Sequence, residues 1–122
     1  MADQVTLGDA TVYAVPSGQV VTLQDIIWDG PGPDGPVARF RFLAPAIARD
    51  TGTISQEAAG GDLQHLCDTV ALAALAARGD LPNAVMVSLA DRPVVFGDTV
   101  PEATQFFGSY RIEDGQCVLE LF

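Results

Sequence analysis

The sequence predicts an α+β fold: a mostly antiparallel sheet of five to seven strands, one long helix packed on it, and one short helix before a C-terminal hairpin. Three observations carry this. Val37–Leu43 alternates with the period of a strand. Leu63, Leu66, Cys67, Val70, Ala74 and Ala77 recur at helical spacing and make one apolar stripe. Asp114-Gly115 stands between two alternating runs, the strongest two-residue hairpin signal in the chain.

In chain order, Thr11-Val12-Tyr13-Ala14-Val15 and Gln19-Val20-Val21-Thr22-Leu23 flank a Pro16-Ser17-Gly18 turn and read as a hairpin. Gln24–Trp28 either prolongs the second strand or, with Thr22 and Asp25 as a cap, opens one helical turn. Gly30-Pro31-Gly32-Pro33-Asp34-Gly35-Pro36 forbids regular structure and reads as a loop. The strand after it puts Ala38, Phe40 and Phe42 on one face and Val37, Arg39, Arg41 and Leu43 on the other. Residues 44–60 are weakly patterned, with Thr53-Ile54-Ser55-Gln56 as a short edge strand.

Asp62 then reads as the cap of the long helix, and Gly79 as its end. The polar face carries Asp62, His65 and Asp68. From Val70 to Ala77 every residue is apolar, so Leu72 and Leu75 project away from the stripe and need cover, from the 44–60 loop or from a second copy in a homodimer. Ala84–Leu89 is a buried strand, and Asp91-Arg92-Pro93 turns the chain into a further strand, Val94-Val95-Phe96. Thr99-Val100-Pro101-Glu102 has the form of a capping box and opens the short helix, which bears Phe106 and Phe107 and closes at Gly108. A type I′ turn at Asp114-Gly115 pairs Ile112 with Cys117 and Tyr110 with Leu119, so that Tyr110, Ile112, Cys117, Leu119 and Leu121 share one face.

At 122 residues, 48% of them hydrophobic, with a mean hydropathy of +0.25, the chain has the material for a single domain spanning 1–122. Sixteen acidic side chains face six arginines and no lysine, for a net charge of −10. That balance repels phosphate backbones and excludes an ordinary nucleic-acid binder. No run approaches the ~20 apolar residues of a membrane-spanning helix, so no membrane insertion is expected. Met1-Ala2-Asp3-Gln4 reads as an initiator methionine before a processed start or as a plain cytoplasmic start, and both readings stay open.

Several segments together resemble a known group. Asp91-Arg92-Pro93-Val94-Val95-Phe96-Gly97, Pro101-Glu102-Ala103-Thr104-Gln105-Phe106-Phe107 and Tyr110-Arg111-Ile112-Glu113-Asp114-Gly115-Gln116-Cys117 form the specific part. Pro16-Ser17-Gly18, Arg39-Phe40-Arg41-Phe42-Leu43 and His65-Leu66-Cys67 extend the match over nearly the whole chain. The pattern is similar to an uncharacterised family of small exported proteins, a domain of unknown function from Rhodobacter-like alphaproteobacteria. The resemblance implies a periplasmic location, with the cytoplasm as the alternative, and implies no activity. Members typically begin with an export signal that this sequence does not show.

Cys67 lies in the helix stripe and Cys117 on the inner face of the hairpin. They form either a core disulfide or two reduced core thiols, and an exported context favours the disulfide. His65 stands three residues from Asp62 and from Asp68, a spacing that can present one nitrogen and two carboxylates to a metal. No fourth ligand is visible, and the expectation is no metal and no cofactor. Ser17, Ser55, Ser88 and Ser109 lack a nucleophile elbow, and the lone His65 would have to serve them all. Arg39 and Arg41 read as an anion site or as partners of local carboxylates. Trp28 is either a core lid or an exposed anchor. Asp91, Arg92, Glu102, Gln105 and Phe106 are the candidate binding surface, with a turn arginine tied to Asp91 or Glu102 as the plainer account. The functional expectation is a non-enzymatic module for an unknown protein partner. The alternatives are a small-ligand carrier, with a pocket between helix and sheet and Arg39 or Arg41 at its mouth, or a small enzyme.

Overall fold

The computed structural model describes residues 5–30, 37–48, 52–79, 84–95 and 100–120. Among them seven strands form one sheet: β1 (Val5–Leu7), β2 (Val12–Tyr13), β3 (Val21–Gly30), β4 (Val37–Leu43), β5 (Ala84–Ala90), β6 (Gln105–Glu113) and β7 (Gln116–Leu119). Their order is β1-β3-β4-β5-β6-β7, and β2 pairs with β3 beyond the end of β1. The predicted first hairpin is present as β2 and β3. Its turn is closed by the Gly18 N–H on the Val15 carbonyl at 3.0 Å, with Gly18 at φ +81°. β3 runs on through Trp28, so the helical alternative at residues 24–28 falls. The Gly-Pro loop from Pro31 to Pro36 lies outside the described residues.

Every strand pair is antiparallel except β4 with β5, which run parallel from Val37 beside Ala84 to Leu43 beside Ala90. The sheet is mostly antiparallel, as expected, with this one parallel pair among the described strands. Parallel neighbours need a crossover, and the long helix supplies it.

That helix begins well before Asp62. Ser55 is its N-cap, accepting a hydrogen bond from the Ala58 N–H at 3.2 Å, and α1 runs Gln56–Leu66. Thr53–Gln56 is therefore not a strand. Gly60 and Gly61 conceal the first turns, since each glycine costs about 1 kcal/mol against alanine in a helix interior. Ala59, Leu63 and Leu66 bury that stretch against the sheet and override the propensity. A π turn, Cys67–Ala71, follows, in which the Leu72 N–H bonds to the Cys67 carbonyl five residues back, and α2 (Leu72–Arg78) ends at Gly79 with φ 84°. The wider turn moves the buried stripe on by one residue, from the predicted Val70 and Ala74 to Ala71 and Leu75. Leu75 is thus 1% exposed. Leu75, expected to need cover from the 44–60 loop or from a second copy, is instead carried into the core by this register change, while Leu72 stays half-buried.

The predicted helix from Thr99 to Gly108 is also corrected. Among the described residues, Pro101-Glu102 is a turn closed by the Ala103 N–H on the Val100 carbonyl at 3.0 Å, and Gln105–Gly108 belongs to β6. Pairing of Phe106 with Leu89 and of Gly108 with Val87 outweighs the local capping signal. Val94-Val95 forms no strand, and Phe96 lies outside the described residues. The final hairpin has the predicted register, Ile112 beside Cys117 and Tyr110 beside Leu119, with Asp114 at φ 52° and Gly115 at φ 74°.

The core fills the space between the helix and one sheet face with Phe40, Phe42, Val85, Val87, Leu89, Leu66 and Leu75. Trp28 closes one end of it, edge-on to Phe40 with ring centroids 5.8 Å apart, its indole N–H donating to Thr6 Oγ1 at 2.8 Å. On the opposite face Arg41 forms a two-point ion pair with Asp25, at 2.6 and 2.9 Å, and also donates to the Val94 carbonyl at 2.8 Å.

Candidate functional site: a groove between helix and sheet edge

Antiparallel pairing decides which way the polar groups of β7 point. The Glu120 N–H donates inward to the Ser109 carbonyl at 2.8 Å, so the alternate residues, Cys117 and Leu119, turn their N–H and C=O away from β6. At Cys117 the helix meets both groups. Its N–H donates to Asp68 Oδ1 at 3.0 Å, and its carbonyl accepts from Gln64 Nε2 at 2.8 Å. Two side chains one helical turn apart thus imitate a neighbouring strand for one residue. The sheet edge is blunted there, as unpaired edges commonly are. Leu119 has no such partner among the described residues.

The covalent tie lies beneath. Cys67 and Cys117 form a disulfide with Cα atoms 6.2 Å apart, 0% and 6% exposed. It fixes the start of the π turn to the centre of β7. Between helix and strand a groove of about 630 Å³ remains, lined by Gln64, Asp68 and Leu72 on one side and by Gly115–Leu119 on the other. Leu119 is 47% exposed, and among the described residues of the lining Asp68 is the one formally charged side chain. Tyr110, buried behind β7, has its phenol pushed up to about 12 by burial and then by the Asp68 carboxylate.

The other predicted residues are placed as follows. Asp62 is no cap but a fully buried carboxylate that locks the first hairpin to the helix. It accepts from the Ser17 N–H at 2.9 Å, the Ser17 hydroxyl at 2.5 Å and Gln19 Nε2 at 2.7 Å. With Asp62 turned to the hairpin and Asp68 turned to Cys117, the two carboxylates beside His65 serve separate contacts. No group of three or more metal-ligating side chains occurs among the described residues. Arg39 and Arg41 stand on the face opposite the helix, away from any mouth between helix and sheet.

Asp91, Arg92, Glu102, Gln105 and Phe106 gather where β5 leaves the sheet and β6 enters it. The Asp91 side chain is 2% exposed and accepts from the Thr104 N–H at 3.0 Å and from Arg92 at 3.1 and 3.3 Å. Burial pushes its carboxyl up, but the bonds from Arg92 and Thr104 hold it below its ordinary value. Arg92 is the turn arginine tied to Asp91, its side chain 48% exposed, with Glu102 adding attraction. Gln105 pairs with Ala90, and Phe106 packs on the core.

Sequence reasoning missed the pair Gln64 and Asp68. The signal was present: once Cys67 meets Cys117, the helix positions flanking Cys67 must straddle β7.

Residues 1–122 match DUF6497, a family of unknown function. No curated protein and no solved structure matches the chain.

Proposed function

We propose, from the premise that this chain belongs to the DUF6497 family of unknown function, that it is a non-enzymatic protein-interaction domain of an oxidising, extracytoplasmic compartment. Its partner docks in the groove between the helix and β7. The observation that carries this reading is the groove itself: an edge strand with outward polar groups faces a half-buried Leu72 across about 630 Å³, and a disulfide ties its two walls together. A preformed cleft binds without the cost of ordering its walls. The disulfide supports the compartment, because such bonds persist where thiols are not kept reduced. Among the described residues of the lining the one titratable group, Asp68, has a structural duty on Cys117, which favours binding over catalysis.

A second contact surface is the cluster of Asp91, Arg92, Glu102, Gln105 and Phe106. A buried carboxylate there holds an exposed guanidinium in one orientation, a suitable anchor for a partner's carboxylate. Capture from host extract with the intact chain, Leu72→Arg and Arg92→Glu separates the two surfaces. Loss of one protein with Leu72→Arg alone supports the groove; loss with Arg92→Glu alone moves the interface to the Asp91 cluster.

A further inference from the structure

We infer that Gln64 and Asp68 are positioning residues for the oxidation of Cys67 and Cys117: they seat β7 on the helix in the dithiol form and so set where the disulfide closes. Gln64, Cys67 and Asp68 stand at i, i+3 and i+4 and share one face of the helix. All three converge on a single residue of β7. Gln64 Nε2 donates to the Cys117 carbonyl at 2.8 Å, Asp68 Oδ1 accepts the Cys117 N–H at 3.0 Å, and the sulfur of Cys67 takes that of Cys117.

The two polar arms also brace each other. Gln64 Nε2 donates to Asp68 Oδ2 at 3.2 Å, across one helical turn, so amide and carboxylate are held in the orientation that meets a strand. None of these hydrogen bonds involves sulfur, and each is open to the reduced chain. Among the described strands β7 pairs on one side only, with β6. Its distance from the helix is therefore set by what Cys117 meets there.

Oxidation of the pair is a thiol–disulfide exchange with a small-molecule disulfide. One cysteine thiolate attacks that disulfide, opening its S–S bond and forming a mixed disulfide. The second thiolate attacks the protein sulfur of the mixed disulfide, forming the bond between Cys67 and Cys117 and expelling the small molecule as a thiol. The chain loses two electrons and two protons, and the small disulfide gains them. The second step alone depends on the fold, because there two groups 50 residues apart in sequence must meet. With Cys117 already held, the strand has no search to make.

The test equilibrates the intact chain in buffers of reduced and oxidised dithiothreitol and reads the oxidised fraction by alkylation and mass spectrometry. Gln64→Ala should lower the equilibrium constant for oxidation about fivefold, and Asp68→Ala about tenfold. Asp68→Asn keeps an acceptor for the Cys117 N–H and should stay within about threefold of wild type. Ser17→Ala removes a hydrogen bond from the same helix at a different contact, Ser17 Oγ on Asp62, and should leave the constant within about twofold. In the reduced wild type the Cys117 amide should exchange at least about tenfold more slowly than in reduced Asp68→Ala. Equal constants for wild type, Gln64→Ala and Asp68→Ala overturn the inference, since the rest of the fold then seats β7 unaided. An equal fall with Ser17→Ala overturns it too, because the effect is then one of general stability. So does a reduced wild type that is unfolded by circular dichroism, in which the two side chains hold nothing before the bond forms.

Discussion

Breaking the bond between Cys67 and Cys117 gives the sharpest test of how the helix and the sheet edge are held. The two residues are 50 apart in sequence, and closing a loop of that length removes about 4 kcal/mol of chain entropy from the unfolded state. Single domains are stable by about 5–15 kcal/mol, so this one bond is a large share. With an unfolding entropy of about 2.1 cal/mol/K per residue over 122 residues, the loss corresponds to a Tm lower by about 16 °C. The perturbation is Cys67→Ala with Cys117→Ala, compared with wild type unfolded in reductant. The reduced wild type keeps both sulfur atoms, so any extra loss in the double variant belongs to packing. Urea unfolding followed by circular dichroism should give a lower midpoint and a steeper m-value, because an uncrosslinked chain exposes more surface. A Tm change below about 5 °C with an unchanged m-value would refute the argument that the crosslink acts on the unfolded chain.

Three further outcomes follow from particular contacts. Asp62→Ala leaves the Ser17 N–H, the Ser17 hydroxyl and Gln19 Nε2 without their acceptor. It should cost about 3 kcal/mol and raise amide exchange at residues 15–19 ahead of the core strands. Gly108→Ala sets a Cβ 2.6 Å from Tyr110 Oη and 2.7 Å from its ring; since Tyr110 is 2% exposed and cannot swing away, a loss of about 1–3 kcal/mol is expected by chemical denaturation. Tyr110 should ionise near 12 in the near-ultraviolet titration of the folded chain, against 10.0 ordinarily. The unfolded chain gives up that proton first, so stability is whole below pH 10 and falls as the pH rises towards 12. Tyr110→Phe should remove this part of the alkaline loss.

What the sequence makes legible is the local geometry. Asp114-Gly115 is readable because a two-residue turn needs positive φ at both positions, and the register of Ile112 with Cys117 follows by counting. That count, together with the helix stripe, sets Cys67 and Cys117 on inward faces and leaves a disulfide or two buried thiols open, and the structure has the disulfide. β4 is legible because its period is unbroken. The misreadings share a cause: a tertiary contact outweighs a local signal. Ladder bonds to β5 turn the apparent capping box before Gln105 into a strand approach, and burial of Ala59 and Leu63 carries the helix across Gly60-Gly61. The π turn has no reliable sequence mark, yet it decides that Leu75 is inside. The groove depends on Gln64 and Asp68 reaching a strand about fifty residues away, so its liners are named only after the disulfide is known.

The parallel pairing of β4 with β5 divides the sheet along a single seam. To one side lie β1 to β4; to the other lie β5 to β7, tied by sulfur to the helix. Each half closes through short-range contacts, whereas the seam requires the chain to return from Leu43 to Ala84. The loop that Cys67 and Cys117 close contains β5 to β7 and none of β1 to β4, so the crosslink restrains the chain on one side of the seam and leaves the other to be held by ladder bonds and packing alone.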